Sequence, residues 1–385
     1  MLATRAELRT LSLDDIERAV SIWSVAFNYT PEDRELRKQF AYLHPEWLRG
    51  VFQQRKLLAV LRLYPFRAYL AGRGVELGGI ASVATAPEAR RRGLAESLLR
   101  GALEEMRERG IPWSGLWPFS APFYARYGYA TCHHNHVLRL QTRDLPAARS
   151  SMISLERLPL EVTPSMHSVY RAWAPQYNLN LDRHPDFWRM VRLHSGSLLF
   201  GARGKSALEG FLQLSLSKQC VRIEDFCWST PEAAHSLLEL VRGFSGQAQE
   251  LMWEAPTRQE ALSLDSIPGP VEIGIRRGMM ARIVDLPQAL ISLPVPEGRG
   301  RLEFELSDET APWNAGRWCY EWEGGSALCE RSGSSRIARL QVQTLTQLLT
   351  GYTTPAIARA GGHLEGPELK VPSEWCRPIH VADYF

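Results

Sequence analysis

Residues Gly79 to Thr85 are small or β-branched at almost every position, which predicts a strand buried on both faces. Pro87 and Glu88 end it. From Leu94 the period changes, and Leu94, Leu98, Leu99 and Leu103 fall on one face of a helix that closes near Gly110. Upstream, 4–11 alternates as a first strand. Ser12-Leu13-Asp14-Asp15 is a capping-box-like start for a helix carrying Ile16, Val20, Ile22, Trp23 and Phe27. A second helix is predicted from about 31 to 52, with Phe40, Leu43, Trp47 and Val51 on its apolar side. Its charged run, 32–38, reads as a solvated face. Residues 57–70 read as one or two strands, and Gly72-Arg73-Gly74 as a hairpin turn. A strand at 111–119, a short helix at 120–127 and a strand at 129–140 follow.

After Asp144 the pattern begins again. Residues 197–208 and 210–226 read as paired strands around Gly204 and Gly210, leading to a helix over 234–243. Ser229-Thr230-Pro231-Glu232-Ala233 echoes Thr85-Ala86-Pro87-Glu88-Ala89, but no basic glycine loop follows it. A third pattern starts at Arg282: a helix at 286–293, strands at 301–306, 317–323, 326–330 and 338–342, then helices at 345–349 and 355–361. The expected architecture is mixed, α+β and α/β, in three segments: 1–143, 144–281 and 282–385.

Composition narrows the class. The chain has 385 residues, 45% hydrophobic and 23% charged, as an ordinary globular protein does. A net charge of +3 is too small to argue for nucleic acid or a membrane surface. No apolar run is long enough to span a bilayer. The N-terminus has no apolar signal region, so a cytoplasmic protein is expected. The six cysteines have no paired short spacing and are expected to be reduced thiols. Cys132, His134 and His136 would share one face of a strand, but in a row that does not converge on a point, so no metal is expected.

The chemistry concentrates where the buried strand turns into the helix. Such a turn presents free backbone N–H groups and the positive end of the helix dipole, a ready site for a pyrophosphate. Gly93 allows close approach to the backbone and Ala95 keeps the first turn thin. Arg90, Arg91 and Arg92 add positive charge. There is no G-x-G-x-x-G, and the only P-loop-like stretch, Gly204-Lys205-Ser206, has Leu199 where its first glycine belongs.

Arg90-x-x-Gly93-x-Ala95 after a strand resembles the acyl-CoA loop of the GNAT acetyltransferase superfamily. About thirty residues on, Phe123-Tyr124-Ala125-Arg126-Tyr127-Gly128-Tyr129 resembles that superfamily's F-Y-x-x-x-G-F element. The resemblance implies that acetyl-CoA is the cosubstrate. Its pyrophosphate would lie on the N–H groups of Arg91, Arg92, Gly93, Leu94 and Ala95, and its pantetheine along Val83, Ala84 and Thr85, with Ser120 a weaker contact. Tyr124 is implied as the acid that protonates the leaving thiolate. A phenol of ordinary pKa near 10 holds its proton at neutral pH and can pass it to a thiolate of pKa about 8.5. Tyr127 and Tyr129 are expected in the core.

The second segment resembles a GNAT-like domain without the acyl-CoA loop, expected to be structural or to wall the acceptor site. The third resembles a sterol-carrier-like domain. Together the three resemble the enhanced-intracellular-survival (Eis-like) N-acetyltransferases. That family is hexameric and acetylates amines, several members on aminoglycosides and some on protein lysines. It also implies that the C-terminal carboxylate, here that of Phe385, serves as the base. Tyr384 stands where an acidic residue is usual, with Asp383 as the nearest acid, and Ser82 stands where some members carry a bulky aromatic. The competing readings are a non-catalytic acyl-CoA sensor and a lipid-binding protein acting through residues 282–385.

Overall fold

The computed structural model describes residues 7–28, 44–147, 152–185, 187–188, 196–256 and 266–385. Strands β1 (Glu7–Thr10), β2 (Leu48–Gln53), β3 (Lys56–Leu70), β4 (Arg73–Thr85), β5 (Trp113–Leu116) and β6 (Ala130–Thr131) belong to one sheet. The capping box holds, with Ser12 N–H and Oγ both donating to Asp15 ahead of α1 (Ile16–Phe27). Helix α2 (Leu94–Glu108) buries Leu94, Leu98, Leu99, Ala102, Leu103 and Met106 against the sheet. A five-residue helix, α3 (Ala121–Ala125), follows β5. The helix expected over 31–52 is corrected in part: Leu48–Gln53 is strand β2, buried almost throughout, and residues 29–43 lie outside the described residues.

The second sheet holds β7 (His134–Gln141), β8 (Ser154–Leu158), β9 (Leu198–Arg203), β10 (Leu208–Leu216), β11 (Cys220–Trp228), β12 (Glu250–Ala255) and β13 (Glu272–Arg277). Helices α4 (Pro164–Trp173) and α5 (Pro231–Arg242) pack on it, each opened by a threonine whose hydroxyl accepts from the helix backbone. The pairing around Gly204 is a hairpin between β9 and β10. Gly210 lies inside β10, so the expected strand 210–226 is two strands, β10 and β11, in antiparallel register.

The two sheets trade a strand. The expected continuous strand 129–140 breaks at Cys132 and His133: β6 stays in the first sheet, while β7 crosses into the second between β12 and β13. In return β14 (Met280–Ile283) runs back into the first sheet between β5 and β6. The spatial orders are therefore β1-β2-β3-β4-β5-β14-β6 and β8-β9-β10-β11-β12-β7-β13. Each sheet carries the other's strand at the same place, which ties the two halves together as one body.

Helix α6 (Leu286–Ser292) leads into a third sheet of β15 (Arg299–Ser307), β16 (Gly316–Glu323), β17 (Ser326–Arg331), β18 (Ala338–Gln341) and β19 (Leu364–Glu365), with α7 (Val342–Leu349) and α8 (Pro355–Ala360). Its apolar face forms one core with β5-side residues of the first sheet, including Trp113, Ala281 and Ile283. Buried Asn178 joins the parts: its Oδ1 accepts from Ala71 N–H at 2.7 Å and its Nδ2 donates to the carbonyls of Thr350 and Trp375.

Candidate active site

Strand β4 runs parallel to β5 only from Leu77↔Trp113 to Ile80↔Leu116. Beyond Ile80, β4 continues to Thr85 on β3 alone, and β5 ends at Leu116, so the sheet parts. The edge of β4 that carries Val83, Ala84 and Thr85 faces this opening. Ser82 sits at a bulge with φ +50°, and its carbonyl accepts from Trp23 Nε1 at 2.7 Å. Ser120 lies beyond the end of β5 at the start of α3.

At the far end of β4 the loop enters α2. Arg90, Arg91, Arg92 and Gly93 are all exposed. Gly93 has φ +75°, and a Cβ there would meet nothing within 4 Å, so open space stands over the helix N-terminus. Arg91 is also left-handed, at φ +61°. Arg92 is held toward β2 by a hydrogen bond to Gln53. Exposed arginines, open backbone and the positive end of the helix dipole meet at this loop, the features that attract an anion.

Tyr124 is buried, among Phe119, Phe123 and Tyr129. Burial, and then the Tyr129 phenol, push its pKa well above the ordinary value. Tyr129 hydrogen-bonds Ser114 Oγ at 2.7 Å, and Ser114 donates to the Gly78 carbonyl, which links this cluster to β4 just before the parting. Burial holds Tyr129 up at about 12, with Ser114 and then Arg282 acting against that rise.

Successive residues of a strand face opposite sides. A Cβ on Gly78 would meet Met106 of α2, in the core that contains Tyr124. One on Gly79 would meet the rings of Phe66 and Phe385. Tyr124 thus belongs to the core on the Gly78 side of β4, and the Phe385 ring lies on the Gly79 side.

The C-terminal tail is fastened between the first two sheets. The Phe385 ring packs on Phe66 with centroids 4.8 Å apart. Tyr384 stacks on Trp117 at 4.0 Å, and Trp117 Nε1 donates to the Asp383 carbonyl at 2.9 Å. Tyr384 Oη donates to Glu254 at 3.0 Å and accepts from Asn135. Asp383, fully buried, pairs with Arg183 at 3.0 Å, and Arg183 pairs with Asp225 of β11 at 2.5 Å. Both aspartates raise the Arg183 pKa against the desolvation of its burial. Asp383 is therefore committed to a structural ion pair rather than supplying charge to an acceptor. This latch has no local signal in the sequence, because its three members are far apart along the chain.

A cavity of about 430 Å³ opens beside the tail, lined from the first sheet by Arg62, Tyr64 and Ser82, from the second by Glu224 and Glu254, and by Phe385. Tyr124, on the opposite face, is not part of its lining. The volume suits a small-molecule site. The sequence singles out Ser82 but not Arg62, Glu224 or Glu254, which look like ordinary alternating strand positions.

The second sheet parts in the same manner. Strand β11 runs parallel to β12 from Cys220↔Glu250 to Ile223↔Trp253 and then continues alone with β10 to Trp228. The residues just past this parting are Glu224, Asp225 and Phe226, all on the cavity wall. The helix after β11 is closed, however. Thr230 Oγ1 accepts from Ala233 N–H, Pro231 occupies the first turn, and Glu209 accepts from Thr230 and Ser229.

Among the described residues no group of three or more metal-ligating side chains could hold an ion. The six cysteines, all among the described residues, form no disulfide.

Comparison with known proteins identifies these parted sheets as those of a GNAT-type N-acetyltransferase. Residues 7–132 and 179–283 each match the acetyltransferase (GNAT) domain, and 286–373 match the sterol carrier protein domain. An uncharacterized N-acetyltransferase of Streptomyces coelicolor is 25% identical over 319 residues, 75% of each chain. A GCN5-related N-acetyltransferase from Anabaena variabilis shares the fold with a TM-score of 0.88, at 22% identity over 99% of this chain and all of that one. Eis1 from Mycobacterium abscessus shares it with a TM-score of 0.80, at 19% identity over 99% of this chain and all of that one. The chain carries two GNAT acetyltransferase domains followed by a sterol carrier protein domain, and it shares its overall fold with Eis1.

Proposed function

We propose that the chain transfers an acetyl group directly from acetyl-CoA to an amine, with Tyr124 as general acid and the Phe385 carboxylate as base. What supports this reading is that Tyr124 and the Phe385 ring lie on opposite sides of β4, the strand that parts from β5 after Ile80. Residues 1–143 supply the acetyl-CoA cleft, 144–281 wall the acceptor side and 282–385 deliver the terminus.

Acetyl-CoA lies in the opening, its pantetheine along Val83–Thr85 and its pyrophosphate on Arg91–Ala95, with Arg90 and Arg92 beside it and Ser120 at the mouth. The amine enters from the cavity on the Phe385 side. The carboxylate takes one proton from the ammonium, the amine nitrogen attacks the thioester carbon, and the C–S bond breaks as the nitrogen releases its second proton to solvent, which in turn restores the Tyr124 phenol after it has protonated the thiolate. A backbone N–H of the Val83–Thr85 edge stabilises the oxyanion. Tyr124 gives its proton to the departing thiolate. A terminal carboxyl of ordinary pKa near 3.5 is a weak base for an ammonium near 10, so desolvation in the cavity and the surrounding charges must narrow that gap.

The family resemblance offers aminoglycoside-like polyamines and lysine amines as acceptors, and the same chemistry serves both. It also offers a homo-hexamer, which light scattering tests. The transfer reading is tested by thiol release from acetyl-CoA in the presence of an amine panel. Amine-dependent release that is lost when one glycine is appended after Phe385 is the expected result. Release unaffected by the extension removes Phe385 from the mechanism.

A further inference from the structure

Helix α3 carries Tyr124 and is only five residues long, too short to hold its shape alone in water. The chain just after it supplies some closure. Tyr127 N–H and Tyr129 N–H donate back to the Tyr124 carbonyl at 2.9 and 3.3 Å, and Gly128 N–H donates to that of Ala125 at 3.0 Å. Carbonyls at the end of a helix otherwise lack partners within it. Here three in a row are met by side chains from far along the chain. Gln343 Nε2 on α7 donates to the Ala125 carbonyl at 3.1 Å, Thr310 Oγ1 to that of Arg126 at 3.2 Å, and Arg282 Nη1 to that of Tyr127.

The donors are themselves fixed. Arg282, fully buried on β14, pairs through Nη2 with Asp308 at 2.6 Å. Asp308, just past β15, accepts from the N–H groups of Thr310 and Ala311 at 3.2 and 2.9 Å, which holds the Thr310 backbone in place. Gly128 completes the fit. It has φ +78°, and a Cβ there would lie 2.7 Å from Arg282 Nη1. This glycine makes room for the guanidinium as well as for the turn. Apolar burial docks the third sheet on the first. The three donors all go to the turn that carries Tyr124.

We infer that the sterol-carrier-like domain, with Arg282 at its entry, holds the Tyr124 phenol in place for proton transfer. Arg282, Thr310 and Gln343 are positioning residues that act through the backbone of residues 125–127. The inference rests on the reading of Tyr124 as general acid. A proton donor works only within hydrogen-bond reach of the leaving sulfur. A slackened turn therefore slows transfer without weakening the hold on either substrate.

Thr310 and Gln343 carry the test, because Arg282→Met would leave Asp308 buried without its cation and endanger folding. In the full-length protein Thr310→Val and Gln343→Met are combined. Thiol release is then measured with acetyl-CoA and the most active amine of the panel. The expected result is a fall in kcat of about tenfold, with KM for the amine and the acetyl-CoA Kd unchanged. Thr310→Ser, which keeps the hydroxyl, should keep wild-type kcat. The same two substitutions are next placed in Tyr124→Phe. With the phenol gone there is nothing left to aim, and kcat should fall no further than in Tyr124→Phe alone. A tenfold loss repeated in that background means a general loosening of the fold and overturns the inference, as does wild-type kcat in the double variant. Both of those outcomes leave Tyr124 as the acid. Wild-type turnover in Tyr124→Phe alone would instead strike the acid assignment, and the inference with it.

Discussion

The first sheet parts after Ile80 and Leu116, the second after Ile223 and Trp253, and each opening is followed by a strand end, a turn and a helix. What differs is the turn. Before α2 the backbone is left-handed at Arg91 and Gly93, open above, and ringed by arginines. Before α5 the same place holds Thr-Pro, a closed cap and the carboxylate of Glu209. A pyrophosphate is welcomed by free N–H groups and positive charge and rejected by a filled cap beside an acid. On the proposed reading it is the helix N-terminus, and not the shared parting, that sets the cofactor site. Relieved of that duty, the second parting turns Glu224, Asp225 and Phe226 into the cavity.

The sharpest way to break this contrast is at the two helix starts. Gly93→Glu puts a side chain into the open space and a negative charge against the pyrophosphate, in a backbone conformation that disfavours it. Acetyl-CoA binding measured by calorimetry should be lost outright, while Glu232→Gln at the second helix should leave it unchanged. Next in size is Tyr124→Phe, which removes the proposed proton donor on the first sheet and touches nothing at the second. Turnover should fall by about 10²–10⁴, the usual worth of a general acid, with the acetyl-CoA Kd unaltered; wild-type turnover would sink the assignment.

Arg183→Met cuts the latch between the second sheet and the tail. Two buried aspartates would be left without their cation, at a cost of about 3–5 kcal/mol. Chemical denaturation should show that loss. At a temperature where the variant stays folded, kcat should drop with acetyl-CoA binding intact, and Arg183→Lys should recover part of it. The pH dependence sharpens the role of Tyr124. Its raised pKa keeps the proton on throughout the ordinary range, so kcat/KM should climb as the amine deprotonates. No descending limb from this phenol should appear below about pH 10. The smallest effect is expected from Thr230→Ala, which opens the second cap: about 1 kcal/mol of stability, and no new acetyl-CoA binding, because Glu209 remains.

Much of the first half was legible locally. The capping box at Ser12–Asp15, the apolar stripe of α2 and the basic glycine loop are features of neighbouring residues, and local physics decides them. The strand at 48–53 was not, since Trp47 and Val51 fit a helical stripe as well as a strand. The exchange of β7 and β14 was invisible for a related reason. A strand's pattern states that it is buried, not which sheet buries it, and β6 and β7 read as one run through Cys132 and His133. The acceptor cavity was harder still. Arg62, Glu224 and Glu254 become neighbours only once the strands are exchanged and the tail is latched.

The most direct test of the contrast between the two partings is the stoichiometry of acetyl-CoA binding to the full-length chain by isothermal titration calorimetry. One molecule per chain, lost entirely in Gly93→Glu, is the predicted result. Two molecules per chain, or binding that survives in Gly93→Glu, would contradict the account.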